Sequence, residues 1–322
     1  MPGWTLLNLF CKMWFDSFYA VQLIQALIVN ICVFYIVKKY TTHIFLCVLL
    51  YGITGQFFNF NTEVMREAIA IGLSSIGIYQ YLRGNKITFY ILILFSIIFF
   101  HVSAAILLIF PFVKFKKITF RTFVLAFFCA FVIWVLSDIV VSFFPEIFSD
   151  EAIYSHKIMV YSNQKSTFFG FLQTSIRYLI AQVGLLYFAR MYASKEDIWE
   201  TDYSYYMSFY IVLSVLSCGI PGFYRFMNYT IIFSLIMITE ILYNIRPQLK
   251  QYSICKIAFI VIYFYSFSPF YFAYYTDINR YTYEYFIPYT SILNKNKNID
   301  YRYEMWETAM NLEQSEKNTR DF

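Results

Sequence analysis

Three arginines and one histidine stand inside apolar runs of this chain, and their side chains define what chemistry it can attempt. Arg66 lies in "EVMREAIAIGLSSIGIYQYLRGNK", His101 in "FFHVSAA", Arg177 in "LQTSIRYLIAQ" and Arg225 in "GFYRFMNYT". A guanidinium presents a planar fork of N–H donors that matches phosphate oxygens bidentately. Imidazole exchanges protons near neutral pH. Ionisable groups at membrane depth cost free energy and mark candidate functional sites. Together the four residues outline a candidate anion site.

Each also has a plainer reading. Glu63 precedes Arg66 by three residues, the spacing of a local helical ion pair that contributes about 0.2–0.5 kcal/mol. The same Glu63 and Arg66 are equally placed to meet a substrate, the arginine on phosphate and the acid on a polar group beside it. His101 is either a core residue bonded to a backbone carbonyl or to Ser103, or a group that handles protons. Arg177 falls about two turns into its segment, too deep to snorkel easily, and shares it with Gln173 and Gln182. An interhelical hydrogen-bond cluster would explain that set without any ligand. Arg225 follows Pro221 and Gly222 and has Tyr224, Asn228 and Tyr229 around it. Aromatic faces and an amide suit sugars as well as phosphate, while tyrosines at a membrane interface also serve as anchors. Asp150 and Glu151 form an acidic pair capable of acid and base work, although loop carboxylates are more often only solvated.

The elements that must position these residues are hydrophobic. The chain of 322 residues is 60% hydrophobic and only 14% charged, with a mean hydropathy of +0.55. Soluble domains carry about 25% charge. Apolar runs near 20 residues recur, which implies an all-α, polytopic transmembrane helical bundle. The expected segments are 18–37, 43–60, 63–82, 87–112, 120–144, 168–191, 203–220, 223–244 and 254–275, about nine in all. They form one multi-span domain over 1–276, with an outward loop at 145–167 and a polar C-terminal tail at 277–322. A net charge of +5 reads as basic cytoplasmic loops rather than as a nucleic-acid footprint. Six scattered cysteines show no metal spacing and read as small apolar side chains. No metal or cofactor is indicated, no cleavable signal peptide is evident, and no repeat of fixed period stands out.

Orientation follows from the basic loops. Lys38 and Lys39, Arg83 and Lys86, "KFKKITFR" (114–121), Arg190 with Lys195, and Arg246 with Lys250 should all face the cytoplasm. A single crossing by 87–112 would put the 114–121 cluster outside. Either 87–112 is a broken, re-entrant element hinged at His101, which is tolerated where protein or a polar cavity satisfies the backbone, or it is one tilted helix whose loop violates the rule. The broken element places Arg66, Arg177 and Arg225 at outward helix ends.

At these residues the chain resembles the EpsG family of Wzy-type exopolysaccharide and capsular polysaccharide polymerases. The resemblance rests on "MREAIAIGLSSIGIYQYLRGNK", "FFHVSAAILLIFPF", "FYRFMNYTIIF" and the closing "IPYTSIL", and it spans residues 2 to about 293. It implies a multi-pass protein of the bacterial inner membrane. The implied activity is a glycosyltransferase that joins oligosaccharide repeat units carried on undecaprenyl pyrophosphate into exopolysaccharide, capsular or O-antigen polymer. It also implies a flippase and a chain-length regulator as partners in the pathway, and no nucleic acid. Under it Arg66, His101, Arg177 and Arg225 become the catalytic set, and Glu63, Tyr224, Asn228 and Tyr229 the substrate-binding set, with the general base unassigned. Family members usually begin with a further helix and an outward loop ending Glu-Pro-Gly-aromatic. "MPGW" stands at that point here, with Met1 in place of the acid, which predicts either a truncated reading frame or a variant without that helix. A flippase for the same lipid-linked oligosaccharide and a membrane acyltransferase that uses His101 as base are the alternative functions.

Overall fold

The computed structural model describes residues 1–115, 118–147, 167–184, 186–187, 200–220 and 223–244, without the side chains of 63, 138–147, 200–201 and 244. The described elements are all helical. The outward loop with Asp150 and Glu151, the span expected at 254–275, the residues Lys116 and Lys117, and the tail lie outside the described residues. The chain divides into two units, residues 1–263 and 264–322, and everything below concerns the first.

Helix α1 (Pro2–Phe15) begins with proline at its first turn, where the missing N–H costs nothing. Helix α2 (Phe18–Tyr40) is capped by Ser17, whose hydroxyl accepts from the Tyr19 N–H at 3.3 Å. Helix α3 (Ile44–Ile53) ends at Thr54, and Gly55 at φ +74° turns the chain. The continuation, Gln56–Thr62, leaves at 78° to α3. The single straight span expected at 43–60 is therefore a bent pair, because Gly55 alone adopts the left-handed conformation without a Cβ penalty. The second half widens into a π-helical turn, Asn59–Glu63. Side chains of α2 hold it: Gln22 Nε2 donates to the Asn61 carbonyl and Gln25 Nε2 to the Phe60 carbonyl, both at 3.0 Å.

Helix α4 (Met65–Leu82) carries Arg66 and Glu67 in its first turn. It ends in a Schellman turn, with the Asn85 N–H donating to Gln80 O and the Gly84 N–H to Tyr81 O. Gly84 sits at φ +88°, so the glycine of "RGNK" makes the turn. Asn85 then caps α5 (Lys86–Phe95) by accepting from the Thr88 N–H at 3.3 Å. Helix α5 runs into a π-turn, Ser96–Phe100, closed by the His101 N–H on the Ser96 carbonyl at 2.9 Å. His101 itself is extended (φ −154°, ψ 125°), and a 3-10 helix follows over Val102–Phe112.

The broken element is thus real in the fold. Its two arms run back along each other. The Phe110 ring near the end of the second arm meets Phe89 near the start of the first at 6.4 Å, and Tyr81 of α4 at 5.8 Å. His101 lies at the tip of the hairpin.

Helix α6 (Phe120–Ile147) follows, then α7 (Phe168–Ser175), capped by Thr167 and continued by a π-helical stretch, Ile176–Gly184. Helix α8 (Glu200–Gly219) leads to a 3-10 segment, Phe223–Thr230, and then to α9 (Ile231–Asn244). Among the described residues three helical stretches are long and apolar enough to cross a membrane: Phe18–Tyr40, Phe120–Ser137 and Phe223–Tyr243. Counting the bent pair makes four; of the nine or so expected, 254–275 and the end of 168–191 lie outside the described residues, the 63–82 segment is diluted by polar residues, and 87–112 is two short arms.

One end of the bundle is tied by charge. Arg83, at the end of α4, pairs with Asp202 near the start of α8 at 2.7 Å, and the Tyr40 hydroxyl donates to the same carboxylate at 3.2 Å. Lys114 lies 4.4 Å from the Tyr205 ring centroid, one turn further along α8. Arg83, Lys114 and the Lys38–Lys39 pair beside Tyr40 therefore share that end, and Lys86 opens the hairpin there. This is the clustering that the positive-inside rule asks for, and the hairpin achieves it.

Candidate functional site at the opposite end

Helix α4 spans the bundle from its charged end, so its first turn lies roughly 25 Å away at 1.5 Å per residue. Two neighbours converge on that turn, the hairpin tip and the 3-10 segment Phe223–Thr230. Three residues per turn eclipses positions i and i+3 in such a helix. Arg225 and Asn228 are so related, and both act on one group, the carboxyl of Glu67. The segment is anchored from α8 by Ser217, whose hydroxyl donates to the Phe223 carbonyl at 3.1 Å.

Glu67 is only 4% exposed, and its Oε1 has no hydrogen-bond partner among the described residues. A buried carboxylate oxygen left unmatched is costly. Arg66, its neighbour in sequence, is exposed, because adjacent residues in an α-helix point about 100° apart. The Glu63 side chain lies outside the described residues, and so does its expected pairing with Arg66.

His101 enters from the hairpin tip. Its Nδ1 accepts from the Ser103 backbone N–H at 3.3 Å and lies against the Ser103 hydroxyl. That hydroxyl is in turn 2.8 Å from the Tyr229 hydroxyl. Tyr229 is 2% exposed and within electrostatic reach of Glu67. The fold therefore links His101, Ser103 and Tyr229 in one hydrogen-bonded line, whose Tyr229 end is within electrostatic reach of the Glu67 carboxyl. The plain reading of His101, a bond to Ser103, holds as geometry, yet it sits in a cluster with the carboxylate and Arg225.

Arg177 lies half-buried on the π-helical stretch, its guanidinium 5.6 Å from the Tyr178 ring centroid. The Tyr178 hydroxyl is within electrostatic reach of Tyr224 and of Cys218 near the end of α8, so this arginine stands at the same end of the bundle. Gln182 on the same stretch accepts from the Tyr210 hydroxyl at 3.1 Å, which bears out an interhelical hydrogen bond for that residue. Tyr224 is exposed, while Asn228 is half-buried.

Of the residues singled out by sequence, His101, Arg225, Asn228 and Tyr229 come together, and Arg66, Arg177 and Tyr224 stand around them. The member missing from that set is Glu67. Its signal was present, a second charge in an apolar segment one helical turn after Glu63, but sequence alone does not say which face of α4 is buried. Glu67 opens a run to Gly72 in which every residue is buried, so the face it occupies is covered along with the rest of the helix. Gly72 lets that face approach α2, since a Cβ there would come within 3.0 Å of the Cys32 Cβ. Among the described residues no group of His, Cys, Asp or Glu has the arrangement of a metal site.

No curated protein and no solved structure matches the chain. The EpsG family pattern matches residues 2–291, nearly the whole sequence and every element described above. A single alignment over that length takes in the arginine helix, the hairpin and the 3-10 segment together. The chain belongs to the EpsG family, whose members are membrane proteins of exopolysaccharide biosynthesis.

Proposed function

We propose that the protein is a Wzy-type polymerase that joins oligosaccharide repeat units carried on undecaprenyl pyrophosphate. The observation that carries the reading is the grouping of Arg225, Asn228 and Tyr229 near Glu67, with His101 joined to Tyr229 through Ser103, at the bundle end remote from Arg83, Lys86 and Lys114. The basic end faces the cytoplasm by the positive-inside rule, so the cluster faces outward, where assembled repeat units await polymerisation. An acceptor hydroxyl attacks the anomeric carbon of the donor unit. The new C–O bond forms as the C–O bond to pyrophosphate breaks, and lipid pyrophosphate leaves with the electron pair. Negative charge grows on the leaving phosphate, and Arg66, Arg177 and Arg225 supply the fixed donors that stabilise it. Tyr224 and Asn228 contribute aromatic and amide surface for sugars, Tyr229 lies buried behind them against Ser103, and Glu63 belongs to the same substrate-binding set.

The test is the lipid-linked saccharide profile of a strain lacking the gene. The polymerase reading expects single repeat units on undecaprenyl pyrophosphate to accumulate outside while polymer disappears. Units trapped on the cytoplasmic leaflet would indicate a flippase instead, and polymer of normal length lacking acyl groups would indicate an acyltransferase.

A further inference from the structure

We infer that Glu67 is the general base of the site, and that His101 serves as a hydrogen-bond donor rather than as a base. The inference deepens the polymerase reading and rests on it.

A backbone N–H can only donate. The Ser103 N–H points at His101 Nδ1, so that nitrogen is an acceptor and carries no proton in the neutral ring. The proton of neutral His101 therefore resides on Nε2, which makes that nitrogen a donor. Nδ1 is also committed, because it caps the 3-10 arm that follows. The Ser103 hydroxyl lies between Nδ1 and the Tyr229 hydroxyl and joins the two side chains.

That leaves Glu67 Oε1 as it stands in the fold, buried and without a hydrogen-bond partner among the described residues. The groups that face its carboxyl are the Arg225 guanidinium and the Asn228 amide of the 3-10 segment, with the Tyr229 hydroxyl nearby. Both groups lie beside the carboxyl, and neither occupies Oε1. One oxygen kept open on an oriented carboxylate is what a hydroxyl nucleophile requires. In the transfer the acceptor hydroxyl gives its proton to Glu67 Oε1 as its oxygen bonds to the anomeric carbon and lipid pyrophosphate departs. With its proton on Nε2, His101 acts as a donor within the site and does not take the acceptor's proton.

The experiment uses full-length protein in lipid vesicles and undecaprenyl-pyrophosphate-linked repeat units extracted from a strain lacking the gene. The initial rate of glycosidic bond formation is followed against pH at equal amounts of folded protein. Removing a general base costs roughly 10²–10⁴-fold, so Glu67→Gln should lower the rate by at least 10²-fold. Wild type should lose rate toward acid as the base becomes protonated, and Glu67→Gln should lose this acidic limb. Glu67→Asp should recover part of the rate with the limb restored. His101→Asn should be slower yet keep the limb, since its Oδ1 can still accept the Ser103 N–H at the Nδ1 position. A Glu67→Gln protein with wild-type rate, or an acidic limb that vanishes with His101 instead, would overturn the assignment while leaving the polymerase reading intact. Wild-type protein that forms no glycosidic bond under any of these conditions would overturn the polymerase reading and this assignment with it.

Discussion

At the residue scale the fold separates two charges that are adjacent in sequence. Glu67 is turned into the bundle against Arg225 and Asn228, whereas Arg66 is exposed at the same level. A guanidinium acting on phosphate works through its planar fork, and lysine keeps the charge but loses that geometry. Arg225→Lys should therefore lower polymer formation by roughly 10²-fold, the scale for losing one donor to a developing oxyanion. Arg66→Lys and Arg177→Lys should act in the same direction. Polymer yield per unit of membrane-inserted protein is the measurement, and wild-type yield from all three would remove the arginines from the chemistry. The arginines were legible because charge inside an apolar run is visible in any single sequence. Glu67 was less so, since its importance depends on the helix face that α2 and the 3-10 segment cover.

At the scale of elements the departures from regular α-helix fall where the site is built. A π-turn ends at His101, a second carries Arg177, a third stands just before Met65, and the segment bearing Arg225 and Asn228 is a 3-10 helix. Such irregular turns are frequent at functional sites because they aim side chains that a regular helix would not. Hydropathy shows where apolar helices lie but not their local winding, so the hairpin was legible only through its charge pattern and the 3-10 opening of 223–244 not at all. Because both arms of the hairpin start and end at one side, Lys86 and Lys114 must be reached from the same side of the membrane. Lys86→Cys and Lys114→Cys, each in a cysteine-free background, should both resist an impermeant maleimide added outside cells and both react after permeabilisation. Outside labelling of Lys114→Cys alone would show that 87–112 crosses once.

On the scale of the whole molecule the described bundle has two unlike ends. The Arg83–Asp202 pair with Tyr40, together with Lys86 and Lys114, marks one. The carboxylate of Glu67, the tip His101 and the arginines mark the other. Charge at the first sets orientation, and charge at the second is costly in lipid, about 2.5–3.5 kcal/mol for each ionised group near a helix centre on insertion scales. The polymerase reading holds that an anionic, sugar-bearing lipid offsets that cost. Its most direct test is the purified protein in vesicles, supplied only with lipid-linked single repeat units and followed by mass spectrometry. The account predicts a ladder of lipid-linked products spaced by one repeat-unit mass, with one undecaprenyl pyrophosphate released for each bond formed. Repeat units that change leaflet but remain single would contradict it.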